Sequence, residues 1–272
     1  MKKKLLFPVV FLAALTILHS CYKSGEVIYQ PVCKTVQLQM ENFNYLLSSP
    51  VLWGQRPNNS FNYTTGNSRR LLTAAALGQP YPYYHNFVYD ANNNLVRINR
   101  FSGNTPDKYF VLGYPDGTRN SASNEITVYE FTADDILTYT YKLEYNSEYQ
   151  LTAVYNENRL LFAYEYDFGG NCTKATGYSS DGTVRSTLEF ISYDNKTNPG
   201  RTDRPMQIFI NDYSKNNCTK SIASRYSVDP VTGATTVIKD TVISNWQYNN
   251  DLPVYRNSSP YATYDCNIIT GK

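Results

Sequence analysis

The sequence predicts an all-β protein: one large antiparallel meander, either a curled sheet or a porin-like up-and-down barrel, behind an N-terminal signal peptide. Two observations carry most of that reading. Between residues 139 and 178, Tyr139, Tyr141, Leu143 and Tyr145 alternate with Thr140, Lys142 and Glu144, and Leu151, Ala153 and Tyr155 alternate again after a turn. Period two puts every other side chain on one face, which is the pattern of a half-buried strand. The chain also carries 26 tyrosines, and tyrosine suits a half-wet sheet because its ring packs while its hydroxyl reaches water or a partner.

The first 20 residues read as a signal. Lys2, Lys3 and Lys4 precede an apolar run from Leu5 to Leu18, too short for the roughly 20 residues a bilayer needs, so it is an h-region and not a spanning helix. Leu18-His19-Ser20-Cys21 follows directly and resembles the bacterial lipobox, with His19 where a small residue is preferred. That resemblance implies cleavage before Cys21 and acylation of it, which is enough for stable anchoring. Losing three of the 25 Lys and Arg leaves 22 against 23 Asp and Glu, so the formal +2 becomes −1. Basicity then gives no case for nucleic acid as a partner. Residues 21 to 32 are expected to be a lipid-anchored tether and residues 33 to 272 one β domain, since no linker or shift in composition divides them.

A first strand is expected from Cys33 to Met40, then an irregular stretch with breakers at Pro50, Gly54 and Pro57. Arg69 to Leu77 fits a returning strand, with a short helix as the alternative. From residue 61 a tetrapeptide recurs: an apolar residue, any residue, tyrosine, then Asp or Asn. It stands at Phe87-Val88-Tyr89-Asp90, Leu143-Glu144-Tyr145-Asn146, Tyr164-Glu165-Tyr166-Asp167, Ile191-Ser192-Tyr193-Asp194 and Trp246-Gln247-Tyr248-Asn249. Two aromatic or apolar residues two apart pack cross-strand neighbours, and the Asp or Asn opens the turn by bonding back to its own backbone. Returning apolar residues follow several copies, as in Leu95-Val96 and Leu252-Pro253-Val254. The copies are unevenly spaced, so the array is a meander of variable hairpins and not a solenoid. Further strands are expected at 107 to 113, 125 to 133, 183 to 193, 205 to 212, 219 to 228, 234 to 248 and 261 to 269, with turns at Pro115-Asp116-Gly117, Ser180-Asp181-Gly182, Asn198-Pro199-Gly200 and Asp229-Pro230.

With Cys21 committed to lipid, Cys33, Cys172, Cys218 and Cys266 remain. They allow two disulfides in any of three pairings, or four small buried thiols. No Cys-x-x-Cys occurs, and a mature chain with His85 alone has too few histidines for a Cys/His zinc site.

The lipobox, the Tyr-Asp units and Tyr193-Asp194-Asn195-Lys196-Thr197-Asn198-Pro199 together resemble a group of Bacteroides-type lipoproteins of unknown function with a porin-like domain. More distantly they resemble the tyrosine-aspartate repeats of bacterial toxin shells. The resemblance implies a large antiparallel sheet on a cell envelope and carries over no catalytic residue. Asp240-Thr241-Val242 resembles a three-residue O-glycosylation site of such bacteria, at Thr241, and a chance match of that length is as common.

The chemistry is sparse. His85 lacks a nucleophile motif and reads as structural or surface-lying. Asp134-Asp135 reads as a turn, because neighbours on a strand face opposite sides. Asp90 to Asn94 starts like a calcium loop, but Leu95 and Phe101 stand where glycine and glutamate belong. No catalytic residue, metal ligand or cofactor is expected. Trp53 and Trp246 are the candidates for stacking on sugar rings or peptide side chains. The expectation is a non-enzymatic envelope lipoprotein, a binding or structural module with the membrane and a glycan or peptide ligand as partners. The alternatives are a carboxylate-based glycan hydrolase and an integral outer-membrane barrel. Tyr22 is not the aspartate of inner-membrane retention, so the outer membrane is the expected address, on either face.

Overall fold

The computed structural model describes residues 33–39, 58–63, 71–77, 83–91, 94–114, 124–148, 150–198, 214–229 and 231–266. Cys21, the tether, Trp53 and the strand expected at 205 to 212 lie outside them. The strands are β1 (Cys33–Gln39), β2 (Asn58–Tyr63), β3 (Leu71–Leu77), β4 (Tyr83–Tyr89), β5 (Leu95–Ser102) and β6 (Thr105–Gly113). Next come β7 (Glu125–Thr132), β8 (Leu137–Tyr145), β9 (Leu151–Asn156), β10 (Arg159–Tyr166), β11 (Cys172–Tyr178) and β12 (Val184–Thr197). The last are β13 (Asn216–Val228), β14 (Thr235–Ile243), β15 (Trp246–Asn249), β16 (Leu252–Arg256), β17 (Ser259–Pro260) and β18 (Ala262–Cys266). Residues 71 to 77 are the returning strand and not a helix.

Fifteen strands form one antiparallel sheet in chain order from β14 back to β1, with β18 added beside β1. β15, β16 and β17 form a separate three-stranded sheet. Nearly all neighbours in the large sheet are hairpin partners, so the period-two reading of residues 139 to 178 holds strand by strand: β8, β9, β10 and β11 pair in succession.

Register decides which side is core. Phe87 pairs with Ile98 and Ile98 with Phe110; Leu143 pairs with Val154 and Val154 with Phe162; Tyr164 pairs with Ala175, Ala175 with Leu188 and Leu188 with Ala223. All of these are buried in one continuous cluster that also includes Ala262 of β18. Each large apolar side chain so buried stabilises by roughly 1.5–3 kcal/mol. Gly177 sits opposite Phe162 and Ser186, and a Cβ there would come within 2.8 Å of Ser186 Oγ and 3.4 Å of the Phe162 ring. The glycine therefore makes room for that ring. The other face is polar and aromatic: Tyr109 stacks on Phe131 with centroids 4.9 Å apart, Arg97 lies 3.7 Å over Tyr109, and Lys142 lies over Tyr155.

The repeat explains how the sheet bends. At every tyrosine of the recurring motif the register slips between the residue before it and the tyrosine itself, because the returning strand carries one extra residue. Glu165 pairs with Lys174 but Tyr166 with Cys172, which leaves Thr173 unpaired. The same slip leaves Val96, Thr152, Thr219 and Val254 out of the pairing, because Tyr89 pairs with Leu95, Tyr145 with Leu151, Tyr193 with Cys218 and Tyr248 with Pro253. These are β-bulges, and each bends its strand and adds right-handed twist. Repeated at the same end of successive hairpins, they curl the sheet, as deliberate bulges do.

The porin-like closed barrel is not what forms. β14 and β18 end the large sheet and do not pair with each other among the described residues. The expected single strand from 234 to 248 breaks at Ser244 and Asn245, and its second half becomes β15 of the other sheet. Chain that closure would need is spent on a sheet with its own hydrogen bonds. That sheet turns twice on residues with positive φ, Asn250 and Asp251, then Asn257 and Ser258, where Asn and Asp are well tolerated. It touches both ends of the large one: Trp246 and Tyr248 reach β13 and β12, and Tyr264 of β18 donates to the Pro253 carbonyl at 2.9 Å. The large sheet thus stays open, and the small sheet joins it near both edges by side-chain hydrogen bonds instead of a strand ladder.

Candidate functional site

The site is built from the repeat. Four of the five motifs open a turn in which the Asp or Asn side chain gathers backbone N–H groups. Asp90 Oδ1 accepts from Asn94 N at 2.8 Å, Asn146 Oδ1 from Gln150 N at 2.9 Å and Asp167 Oδ1 from Asn171 N at 2.9 Å. The residue that closes the turn is buried in four of the five copies: Asn94, Gln150 and Asn171, with Asn217 in the same place after Asp194. The next residue is a core residue: Leu95, Leu151, Cys172 or Cys218. Cys172 and Cys218 are free and buried, occupying the position that leucine fills elsewhere. The turn carboxylate of Asp229 works similarly: backbone N–H groups of Thr232 and Val231 hold it below the usual carboxylate range.

The bulge deprives the carbonyl before it of a regular ladder partner, and a buried carbonyl needs one. A hydroxyl from a neighbouring hairpin supplies it. Tyr114 donates to Leu95 O at 2.8 Å and Tyr166 to Leu151 O at 2.8 Å, and Tyr193 donates to Cys172 O. Tyr264 does the same at Pro253 O, and at Cys218 O the donor is the indole of Trp246, at 2.8 Å. Trp246 is therefore one of five such stitches. Its ring also meets Tyr261 edge-on at 4.7 Å and lies 5.2 Å from the buried Arg256 guanidinium.

Where the small sheet meets β12 and β13, an open cleft of about 500 Å³ is lined by Ser192, Asp194, Thr219, Lys220, Trp246 and Tyr248, with Ser244 and Asn245 at the strand break. Asp194 organises it. Its carboxylate accepts from Lys196 N at 2.9 Å, Asn217 N at 3.1 Å, Asn217 Nδ2 and the Tyr248 hydroxyl. Burial, then the hydrogen bond to Asp194, pushes the Tyr248 phenol well above its ordinary range. Ser192 Oγ and Thr219 Oγ1 lie 2.7 Å apart at the mouth, with exposed Lys220 beside them. Arg256 donates twice to Ser244 Oγ, at 2.7 and 2.9 Å, which fixes the break between the sheets.

Of the sequence candidates, Trp246 is at this cleft, while Thr241 is exposed on edge strand β14 and is not part of it. His85 is buried on β4, opposite Arg100. Asp134 and Asp135 lie in the turn between β7 and β8, where Asp135 accepts from the Tyr109 hydroxyl at 2.7 Å. The residues that sequence reasoning missed are Asn217, Thr219, Lys220 and Ser244. The first two were legible as the fourth copy's turn-closing and bulge residues, delayed by a long insertion after Asp194. The fold and site define a curled, open, all-β meander stitched by tyrosine. No family model matches the chain, and no curated protein is detectably similar to it.

Proposed function

We propose that the protein is a lipid-anchored, non-enzymatic envelope module. It is held in the outer membrane through acylated Cys21 and binds a polyhydroxylated ligand of the glycan class at the cleft between the two sheets. The membrane anchor rests on the lipobox-like Leu18-His19-Ser20-Cys21, and the likeness to Bacteroides-type envelope lipoproteins belongs to this proposal. The observation that carries the binding half is the cleft lining: a hydroxyl pair, an amine, an amide and two aromatic edges around one carboxylate. Short polar groups of both donor and acceptor kind on a pre-formed concave surface suit sugar hydroxyls. The single carboxylate lining the cleft, Asp194, is engaged by four protein donors, whereas glycoside cleavage uses two carboxylates flanking the bond. A glycan and peptide array screen of the chain from Tyr22 onward is the test. Binding to glycans should weaken about tenfold or more in Lys220→Ala and Ser192→Ala, both exposed positions. Silence on both arrays removes the binding half of the proposal.

A further inference from the structure

The four mature cysteines divide into two kinds. Cys172 and Cys218 fill the core position of the repeat, on β11 and β13, with β12 between them. Strands two apart in a sheet are roughly 9.5 Å from each other, beyond the about 7 Å at which a disulfide can form without backbone movement. Cys33 and Cys266 are placed differently. They are directly opposed, as the terminal pair of the antiparallel ladder between β1 and β18. Opposed residues of such a ladder share a face, and their Cα atoms are about 4.5 or 5.5 Å apart depending on the hydrogen-bonding position. Both values lie inside the roughly 4.4–6.8 Å span of disulfides.

We propose that Cys33 and Cys266 form a cross-strand disulfide while Cys172 and Cys218 stay reduced. The two thiols lose two protons and two electrons to the disulfide of an oxidising dithiol partner, by exchange through a mixed disulfide. The partner leaves with both sulfurs reduced, and one Sγ–Sγ bond joins β1 to β18. β18 is an edge strand of the large sheet, held to β1 by five residue pairs with an irregularity between Thr35 and Gln37. Such an edge opens more readily than the interior of the sheet. The bond clamps that ladder where Cys33 begins the first strand and β18 ends, and so ties together the two ends of the β domain.

The test is a thiol map of the full chain, expressed in an oxidising envelope, extracted in detergent and unfolded in an alkylating reagent without reductant. Proteolysis and mass spectrometry should find the Cys33 and Cys266 peptides linked, and Cys172 and Cys218 alkylated. Four alkylated thiols after incubation with oxidised glutathione, or any other pairing, overturn the proposal. Cys33→Ser, Cys266→Ser and the double variant provide the second readout. All three should lower the denaturation midpoint by the same amount, and reductant should bring the native chain to that value. Additive losses from the two single changes also overturn it.

Discussion

Changing Tyr166 to Phe tests the stitch directly. The substitution keeps the ring and removes only the hydroxyl, so packing against Leu151 and Cys172 is preserved. What is lost is the donor to Leu151 O, a 2.8 Å bond to the main chain of a buried residue beside a bulge. A buried acceptor left unpaired costs about 1–3 kcal/mol. The bulge at Thr152 already removes the regular ladder partner there, so the expected loss is about 2 kcal/mol. For a domain of this size that corresponds to roughly 4–8 °C in Tm. Urea denaturation followed by circular dichroism should show a lower midpoint with an unchanged slope, the signature of lost stability without a change in exposed surface. Tyr84→Phe, at an exposed position, is the control and should fall within about 0.5 kcal/mol of the native chain. Tyr114→Phe acts on a different carbonyl, Leu95 O, so the double variant should be additive. If Tyr166→Phe is indistinguishable from Tyr84→Phe, the tyrosines are packing residues only and the account of the bulges is wrong.

Three further outcomes are expected. Asp194→Ala should destabilise by about 2–4 kcal/mol, because it strands Asn217 N and the Tyr248 hydroxyl in a partly buried seam; Asp194→Asn should cost less than half as much, and equal losses would show that the charge and its bonds are immaterial. Gln150→Ala should cost about 2 kcal/mol, since Gln150 Nε2 donates to Gly170 O at 2.9 Å across hairpins from a buried position, whereas a neutral result in urea denaturation would refute the turn-closing role. Burial holds the phenols of Tyr164, Tyr264, Tyr141 and Tyr248 above their ordinary value, so folding favours their protonated form. Their contribution is complete below about pH 10 and is lost as pH rises beyond it toward the folded values, since the unfolded chain releases those protons first. Tyrosinate absorbance should therefore show this group ionising only as the β signal collapses; a full titration near pH 10 with that signal intact contradicts it.

The parts of the fold that were legible were those written in local pattern. Period-two alternation located β8 to β11 because each of those hairpins packs on its immediate neighbour, and the Asp or Asn after each tyrosine marked the turn that it caps. The returning pair Leu95-Val96 was visible too. Its meaning was not, because a bulge is a relation between two strands: Val96 is an extra residue only once Tyr89 is found opposite Leu95. Trp246 shows the same limit. A tryptophan within a Tyr-Asn unit looks like a stacking platform until the carbonyl of Cys218, 28 residues earlier, is seen to accept from its indole.

The break after β14 is the least local feature of all, and it decides the architecture. Nothing between Thr235 and Tyr248 interrupts the strand pattern except Ser244 and Asn245, two residues that many strands tolerate. They become a break because Arg256 donates into Ser244 Oγ and because Asn257 and Asn245 bond each other in both directions, at 2.8 and 2.9 Å. Those partners lie 12 residues on, at the far side of a hairpin. Once they fix the break, β15 is turned away from the β13–β14 ladder, and the large sheet is left with two edges that meet a small sheet instead of each other. Where a closed barrel has a continuous wall, this chain has a seam, and a seam between differently oriented strands leaves a concavity. Openness of the sheet and the cleft at Asp194 are therefore one structural event, set by the residues that stop β14.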